Sequence, residues 1–357
     1  MPKPATGPAH SLTGHGAERL AAVTVDTYNA EMRDADGFLG DRASGRAFRA
    51  ILEDGRERVR QVDDEDPIGD VPSRDVRKKT LDKLLVEGDP EAAGVVLGTV
   101  ETFAQEFATV IRRFLRLKEW RDTQRIVVGG GLRASRVGEL AIGRTAVLLK
   151  GSGHELELRP IRHDPDEAGL IGCIHLAPSW IFSGHDSILA VDIGGSNIRV
   201  GIVEVNQKKA PDLSRASVTA SDLWRHADDQ PDREAAVARL AGMLQDMIKR
   251  AGKRGLRLAP FIGIGCPGLI RTDGSIVKGG QNLPGDWEHR SFHLPGLLGK
   301  AIPAIDGHEV TVTMHNDAVV QGLSEVPFMH DVEHWGVMTI GTGLGNARFS
   351  NRIAGEA

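Results

Sequence analysis

Three runs of β-branched and apolar residues in this chain end in glycine-rich turns: RIVVGGGLRASR at 125–136, SILAVDIGGSNIRVGIVEV at 187–205 and WGVMTIGTGLGNARF at 335–349. A strand that feeds consecutive glycines leaves backbone N–H groups unshielded by side chains, the local arrangement that receives phosphate and other anions. None of the three matches GxxxxGK[ST], so a P-loop with its phosphate-binding lysine is not what they build. Any phosphates would be cradled by hairpins instead.

At 357 residues the chain exceeds the usual size of one hydrophobic core, and two domains of roughly 150 residues each are the expectation. A net charge of -5 gives no basic footprint of the kind that neutralising a run of DNA phosphates needs, which argues against a nucleic-acid partner. The two cysteines, Cys173 and Cys266, are too far apart for a CxxC site and too few for a disulfide framework. The opening residues lack the apolar run of a signal peptide, and no stretch approaches the ~18 apolar residues that span a bilayer. The expectation is a cytoplasmic protein without a membrane partner.

Residues 1–16 read as an extended arm, and the charge-dense Glu53–Lys79 segment, with two prolines, as a surface insertion between helices without function. Val96, Val100, Phe103, Phe107, Ile111 and Phe114 recur at steps of three or four, which predicts one long amphipathic helix over 90–120. VGELAIGRTAVLLK predicts a second helix, ELELRPIR a strand, and DPDEAGLIGCIHLA a helix capped by Asp164 or Asp166. PSWIFSGHDS reads as a linker and places a domain seam there. Beyond it come a three-strand meander, the helix EAAVARLAGMLQDMIKRA, the buried strand FIGIGCPG, and VTVTMHNDAVVQGLSE, a strand running into a helix.

Each motif has two readings. In DIGGSNIR, Gly194 and Gly195 let amides face an anion, Ser196 and Asn197 add donors, and Asp192 can hold Mg²⁺ through water; an ordinary hairpin accounts for the same residues. TGLGN, with Thr342, Gly343 and Gly345, is a similar turn. Gly129, Gly131 and Ala134 also fit the dinucleotide pattern GxGxxA, but the acids that follow, Glu155 and Glu157, stand at the start of a strand rather than at its end. Asn316 and Asp317 sit where a strand meets a helix, so Asp317 is either an N-cap or a base that takes a proton from an attacking hydroxyl. GGQNLPGDW offers Asn282 for vicinal hydroxyls and Trp287 as an aromatic face, or is simply a turn.

DIGGSNIR, FIGIGCPG, NLPGDW, HNDAVVQGLSE and TIGTGLGN follow one another over 188–349 in the order and approximate spacing of the ROK-family sugar kinases, which this stretch resembles. What normally follows in that family resembles residues 37–177 here: ASGRAF, GDPEAAGVVL, IVVGGGLRASR and DEAGLIGCIHLA. The halves are exchanged, as in a circular permutation. The resemblance implies an α/β protein of the two-lobed actin-like ATPase (ribonuclease H-like) fold in a permuted ROK arrangement. Residues 1–178 would resemble the family's C-terminal half, 179–187 would link, 188–316 would form the other lobe, and 317–357 would complete the first.

By the same resemblance Asp192, Gly194, Gly195, Ser196 and Asn197 form the first phosphate loop and Thr342, Gly343 and Gly345 the second. Gly129, Gly130 and Gly131 lie on the adenosine side. Asp317 is the catalytic base, and Asn282 and Asn316 contact sugar. The implied reaction is glucokinase-like transfer from MgATP to a hexose by a homodimer. The alternative is a non-catalytic sugar or nucleotide sensor without a DNA-binding module. The family's CxCGxxGC zinc cluster is missing: Phe38 replaces a cysteine and Gly40 a sugar-binding glutamate, so no zinc site is expected. Asp41 stands nearby as a possible substitute carboxylate, and His15 in TGHGAE lies where the family's EIGH segment belongs.

Overall fold

The computed structural model describes residues 14–35, 37–63, 65–177 and 179–352; residues 1–13 of the expected arm lie outside them. The chain divides into two compact units. The first comprises Met1–Ala22 and Leu170–Asn316, the second Val23–Gly169 and Asp317–Ala357.

The second unit begins with β1 (Val23–Tyr28), the small hairpin β2 (Arg33–Asp34) and β3 (Gly37–Phe38), and the helices α1 (Gly45–Asp63), α2 (Lys78–Glu87) and α3 (Pro90–Phe114). It continues through β4 (Arg125–Gly129), α4 (Arg136–Gly151), β5 (Glu157–Pro160) and the first turns of α5 (Pro165–Gly172). The first unit holds β6 (Ser187–Ile193), β7 (Ile198–Glu204), β8 (Ser217–Trp224), the short α6 (His226–Asp229), α7 (Arg233–Lys253) and β9 (Leu258–Cys266). Then come α8 (Leu294–Ala301), the hairpin β10 (Ala304–Ile305) and β11 (His308–Glu309), and β12 (Thr311–Asn316). With α9 (Asp317–Leu323), β13 (His334–Ile340) and β14 (Leu344–Asn351) the chain returns to the second unit.

Each unit is built on one five-stranded sheet. In the first, the order is β12-β9-β6-β7-β8: β6, β7 and β8 form an antiparallel meander, and β9 and β12 add in parallel. In the second, the order is β1-β14-β13-β4-β5, with β13, β14 and β1 antiparallel and β4 and β5 parallel. Order and sense are the same, and they are those of the ribonuclease H-like sheet on which actin-like ATPases are built. One difference separates the two. The first unit's strands run through the sheet's pattern in chain order, whereas β1, third in the pattern, precedes the other four in the second unit's chain.

Local chemistry explains the elements. Asp89 caps α3 by accepting from Glu91 N at 2.8 Å, and Pro90 opens the helix without an N–H to satisfy. The expected apolar stripe is buried, and the helix stops at Phe114, short of the expected 120. Ser135 caps α4 and Asp232 caps α7 in the same way. Nearly every residue of β9 is buried, as a strand between two parallel neighbours should be.

Two expectations are corrected. The seam does not fall at 178/179: Leu170 and the turn Cys173–Leu176 belong to the first unit. Gly201 and Gly263 explain this, since a Cβ on Gly201 would lie 2.8 Å from Leu170 Cδ1 and one on Gly263 2.6 Å from Cys173 Cβ. The bare backbone of two strands is the seat for that segment. Nor is Glu53–Lys79 an insertion from its start, because α1 continues to Asp63 and α2 begins at Lys78.

Arg56 is the reason that α1 holds the following segment. It is 1% exposed, and its guanidinium donates to Asp66 Oδ2 at 2.9 Å, Val71 O at 2.8 Å, Ser73 Oγ at 2.8 Å and Gly69 O at 2.6 Å. A buried guanidinium satisfied on all sides organises its loop, and its removal leaves a carboxylate and carbonyls without donors. Arg56→Ala should therefore lower the urea midpoint by the equivalent of about 3 kcal/mol, while Arg58→Ala should leave it nearly unchanged.

Candidate functional site

In the first unit the candidate residues gather around the β6–β7 turn. Gly194 N donates to Asn197 O at 2.8 Å and closes the hairpin. His226, 2% exposed, supports it from beneath with Nε2 2.9 Å from Gly194 O, and Ala227 N donates to Ser196 O at 3.2 Å. Asp192 ends β6 directly across from Arg199, with Oδ2 3.5 Å from its Nη1. The turn's neighbour is Asn282: a Cβ on Gly195 would stand 3.1 Å from Asn282 Cβ. The structure thus brings together Asp192, Gly194, Gly195, Ser196, Asn197 and Asn282.

Trp287 does not offer a face there. It is 1% exposed, packs on Phe292 with ring centroids 5.1 Å apart, and donates its indole N–H to Pro284 O at 2.6 Å. Its burial anchors the loop that carries the exposed Asn282. Asn316, at the end of β12, is 2% exposed and donates Nδ2 to Gly268 O at 3.0 Å.

The N-terminal residues lie along β12. Gly16 N donates to Met314 O at 2.9 Å, Met314 N to His15 Nδ1 at 3.2 Å, and His315 Nε2 to Ala17 O at 3.2 Å. His315 Nδ1 accepts from Asn316 N at 2.7 Å, so the ring is the neutral Nε2–H tautomer. Burial pulls its pKa down to about 4, only partly opposed by the Ala17 carbonyl.

In the second unit α9 lies against two glycine turns. Ala318, next to Asp317, packs where Gly345 has no side chain; a Cβ there would be 3.1 Å from Ala318 Cβ and would collide with Thr339 Oγ1. Four residues on, and so on the same helix face, Gln321 Oε1 accepts from Gly130 N at 2.9 Å and fills the space that a side chain on Gly129 would need. Gly130 has φ +81°, and a Cβ would fall 2.5 Å from both N and O of Ile340. Ile340 leads into the β13–β14 turn, where Gly341 N donates to Gly343 O at 2.9 Å. Gly45 N, at the start of α1, donates to Gly341 O at 2.8 Å.

This unit therefore brings together Asp317, Thr342, Gly343, Gly345, Gly129, Gly130 and Gly131. Asp317 Oδ1 accepts from the N–H of the next residue, Ala318, at 2.9 Å. Glu157 pairs with Arg125, which also binds Asp331 at 2.7 Å, so one of the two acids that follow GxGxxA is held in an ion pair at the strand's start. A dinucleotide ribose would need a carboxylate at the strand's end instead.

Gln321, Gly45 and Lys78, whose Nζ donates to Gly131 O, were not singled out by sequence. Gln321 had a usable signal, one helical turn after Asp317. Asn346 closes the same region: Ala30 N donates to its Oδ1 at 2.9 Å and its Nδ2 to Ala30 O at 3.1 Å.

Among known proteins, the glucokinase of Thermotoga maritima is 26% identical over 158 residues, 44% of this chain and 43% of that enzyme. The chain thus matches less than half the length of that relative, and no protein-family profile matches it. A sugar-kinase candidate from Cytophaga hutchinsonii aligns over 47% of this chain and 50% of its own, with TM-score 0.35 and 19% identity. An N-acetylmannosamine-kinase candidate from Listeria monocytogenes aligns over 46% and 47%, with TM-score 0.32 and 20% identity. Strand order, not these loose alignments, carries the fold assignment.

Gly130→Ala should cost about 2 kcal/mol in stability from its positive φ and the Ile340 backbone, and speed amide exchange at Ile340 and Gly341. Gly343→Ala, which meets nothing within 4 Å, should cost under about 0.5 kcal/mol. Stability should also fall with acid. Between the ordinary histidine value of 6.5 and about 4, the unfolded chain binds a proton that folded His315 refuses. Stability is then fully present above pH 6.5 and declines toward pH 4, by up to about 3 kcal/mol. Burial of His15 and His163 acts in the same direction. Denaturant midpoints at pH 7 and pH 5 should differ less in His315→Gln than in the wild type.

Proposed function

We propose that this protein is a ROK-type sugar kinase that transfers the γ-phosphoryl group of ATP to a hydroxyl of a hexose. We propose too that its chain order is a circular permutation of that family's, which the early position of β1 supports. The observation that carries the proposal is the face of α9, where Ala318, next to Asp317, packs against Gly345 and Gln321 binds Gly130. One helix carries the carboxylate and seats against two glycine turns.

In the proposed reaction Asp317 accepts the proton of the sugar hydroxyl as its oxygen attacks the γ-phosphorus, and the bond to the β–γ bridging oxygen breaks to release ADP. Amides of Gly195–Asn197 and Thr342–Gly345 are the proposed donors to phosphate oxygens, where fixed dipoles offset developing charge. Gly129, Gly130 and Gly131 are the proposed nucleoside-side residues by the resemblance, with Gln321 and Ile340 seated on the first two. Asn282 and Asn316 are the proposed sugar contacts, although the Gly268 bond limits Asn316 to its remaining donor and acceptor capacity.

Asp192 suits Mg²⁺, since a carboxylate at a strand end before a glycine turn is the hard oxygen donor that a hydrated Mg²⁺ takes through water. The ion would neutralise phosphate charge. A cytoplasmic homodimer belongs to the same proposal, supported by the habit of the family it resembles.

The sensor reading keeps one observation in its favour. Gly40, where the family has a sugar-binding glutamate, packs against Leu344, with a Cβ position 3.4 Å from Leu344 Cβ. That space is apolar. ADP release measured over a panel of hexoses separates the two readings. Sugar-stimulated turnover that falls by about 10²- to 10⁴-fold in Asp317→Asn supports the kinase. Nucleotide binding without turnover on any sugar, or turnover indifferent to both sugar and the substitution, overturns it.

A further inference from the structure

Lys78 opens α2, and its ammonium reaches back to donate to the carbonyl of Gly131, at the mouth of the glycine turn that follows β4. The helix is tied down at a second point, where Asp82 Oδ1 accepts from Val137 N at 2.9 Å in the first turn of α4. Lys78 is thus not a loose surface lysine. It is half-buried, and its charged neighbours are of both signs: Asp166 and Asp82 favour the ammonium, while Arg49 opposes it. Arg49 is fixed by its own bonds, with Nη1 donating to Ser73 O at 2.5 Å and to Val76 O at 3.0 Å. Two cations are therefore held near a glycine turn whose Gly130 amide is taken by Gln321. Half-burying an ammonium against a neutral carbonyl returns only part of what desolvation costs; Asp166 and Asp82 offset some of it, and a second cation nearby adds to it. A bound anion would relieve both.

We infer that Lys78 is a phosphate-binding residue of this turn, contacting the phosphate nearest the nucleoside; this rests on the kinase reading above. An ammonium has three donors, and the Gly131 bond uses one of them. The chemistry requires a phosphate oxygen and gives no advantage to a nucleoside lacking one.

The test is calorimetric binding of ADP, AMP and adenosine to the wild type, Lys78→Met and Asp82→Asn. Loss of a charge-assisted bond should weaken ADP and AMP by about 10- to 100-fold in Lys78→Met, with adenosine changed less than about threefold. Asp82→Asn, which loosens α2 and removes one carboxylate near the ammonium but keeps the ammonium itself, should not lower the ratio of ADP to adenosine affinity. Equal losses for adenosine and ADP in Lys78→Met would show that the lysine only positions α2 and would overturn the inference. Undiminished ADP binding in that variant would also overturn it, leaving the kinase reading intact. A wild type that binds no nucleotide at all would remove both.

Discussion

The second unit depends on one approach of backbone to backbone. Gly130 lies so close to Ile340 that only a glycine fits, and the contact holds the end of β4 against the strand that leads into the β13–β14 turn. Gln321 answers it from α9 by accepting the Gly130 N–H, which at that conformation has no ladder partner. A second bare position, Gly322, lets the same helix settle onto Phe349 and Val337. Asp317 owes its place to this seating: α9 can occupy only one position when three of its neighbours are glycines or face glycines.

The first unit follows a different rule, in which polar groups are buried with fixed hydrogen-bond partners. His226, His315 and Asn316 are all nearly inaccessible, and each has a backbone carbonyl as partner. Such groups define geometry sharply because an unmade bond in a dry interior costs about as much as several surface contacts contribute. The β6–β7 turn rests on this layer rather than on hydrophobic packing alone. Cys173 and Cys266 are both buried and have no accessible thiol to offer.

Much of this was readable from the residues, and the reasons differ by element. Strands ending in glycine pairs and the stripe of α3 are local patterns, set by φ preferences and the helical period, so sequence states them directly. The course of α1 past Glu53 was not readable, because its charged face conceals Arg56, whose burial depends on carbonyls at 69 and 71 that no periodicity reveals. The seam was misplaced for a similar cause: Leu170 and Cys173 join the first unit through clearances above Gly201 and Gly263, which are properties of a folded sheet. Trp287 looked like an exposed ring in a polar loop, yet its indole N–H had a carbonyl three residues back, and that made burial inexpensive. Lys78 gave no signal at all, standing in a run of mixed charge.

The early position of β1 sets the order in which the molecule can assemble. Residue 30 meets residue 346 through paired amide bonds, and β4, which has β5 as its parallel neighbour on one side, finds the neighbour on its other side only in β13. Closing so long a loop costs chain entropy before any contact rewards it. On the ribosome, β1, β4 and β5 must wait for β13 and β14, while the intervening unit has all five of its sheet strands in hand beforehand. During that interval the unpaired edges of β1 and β4 are the chain's exposure to misassociation, so synthesis rate and chaperone access bear on this half of the protein far more than on the other.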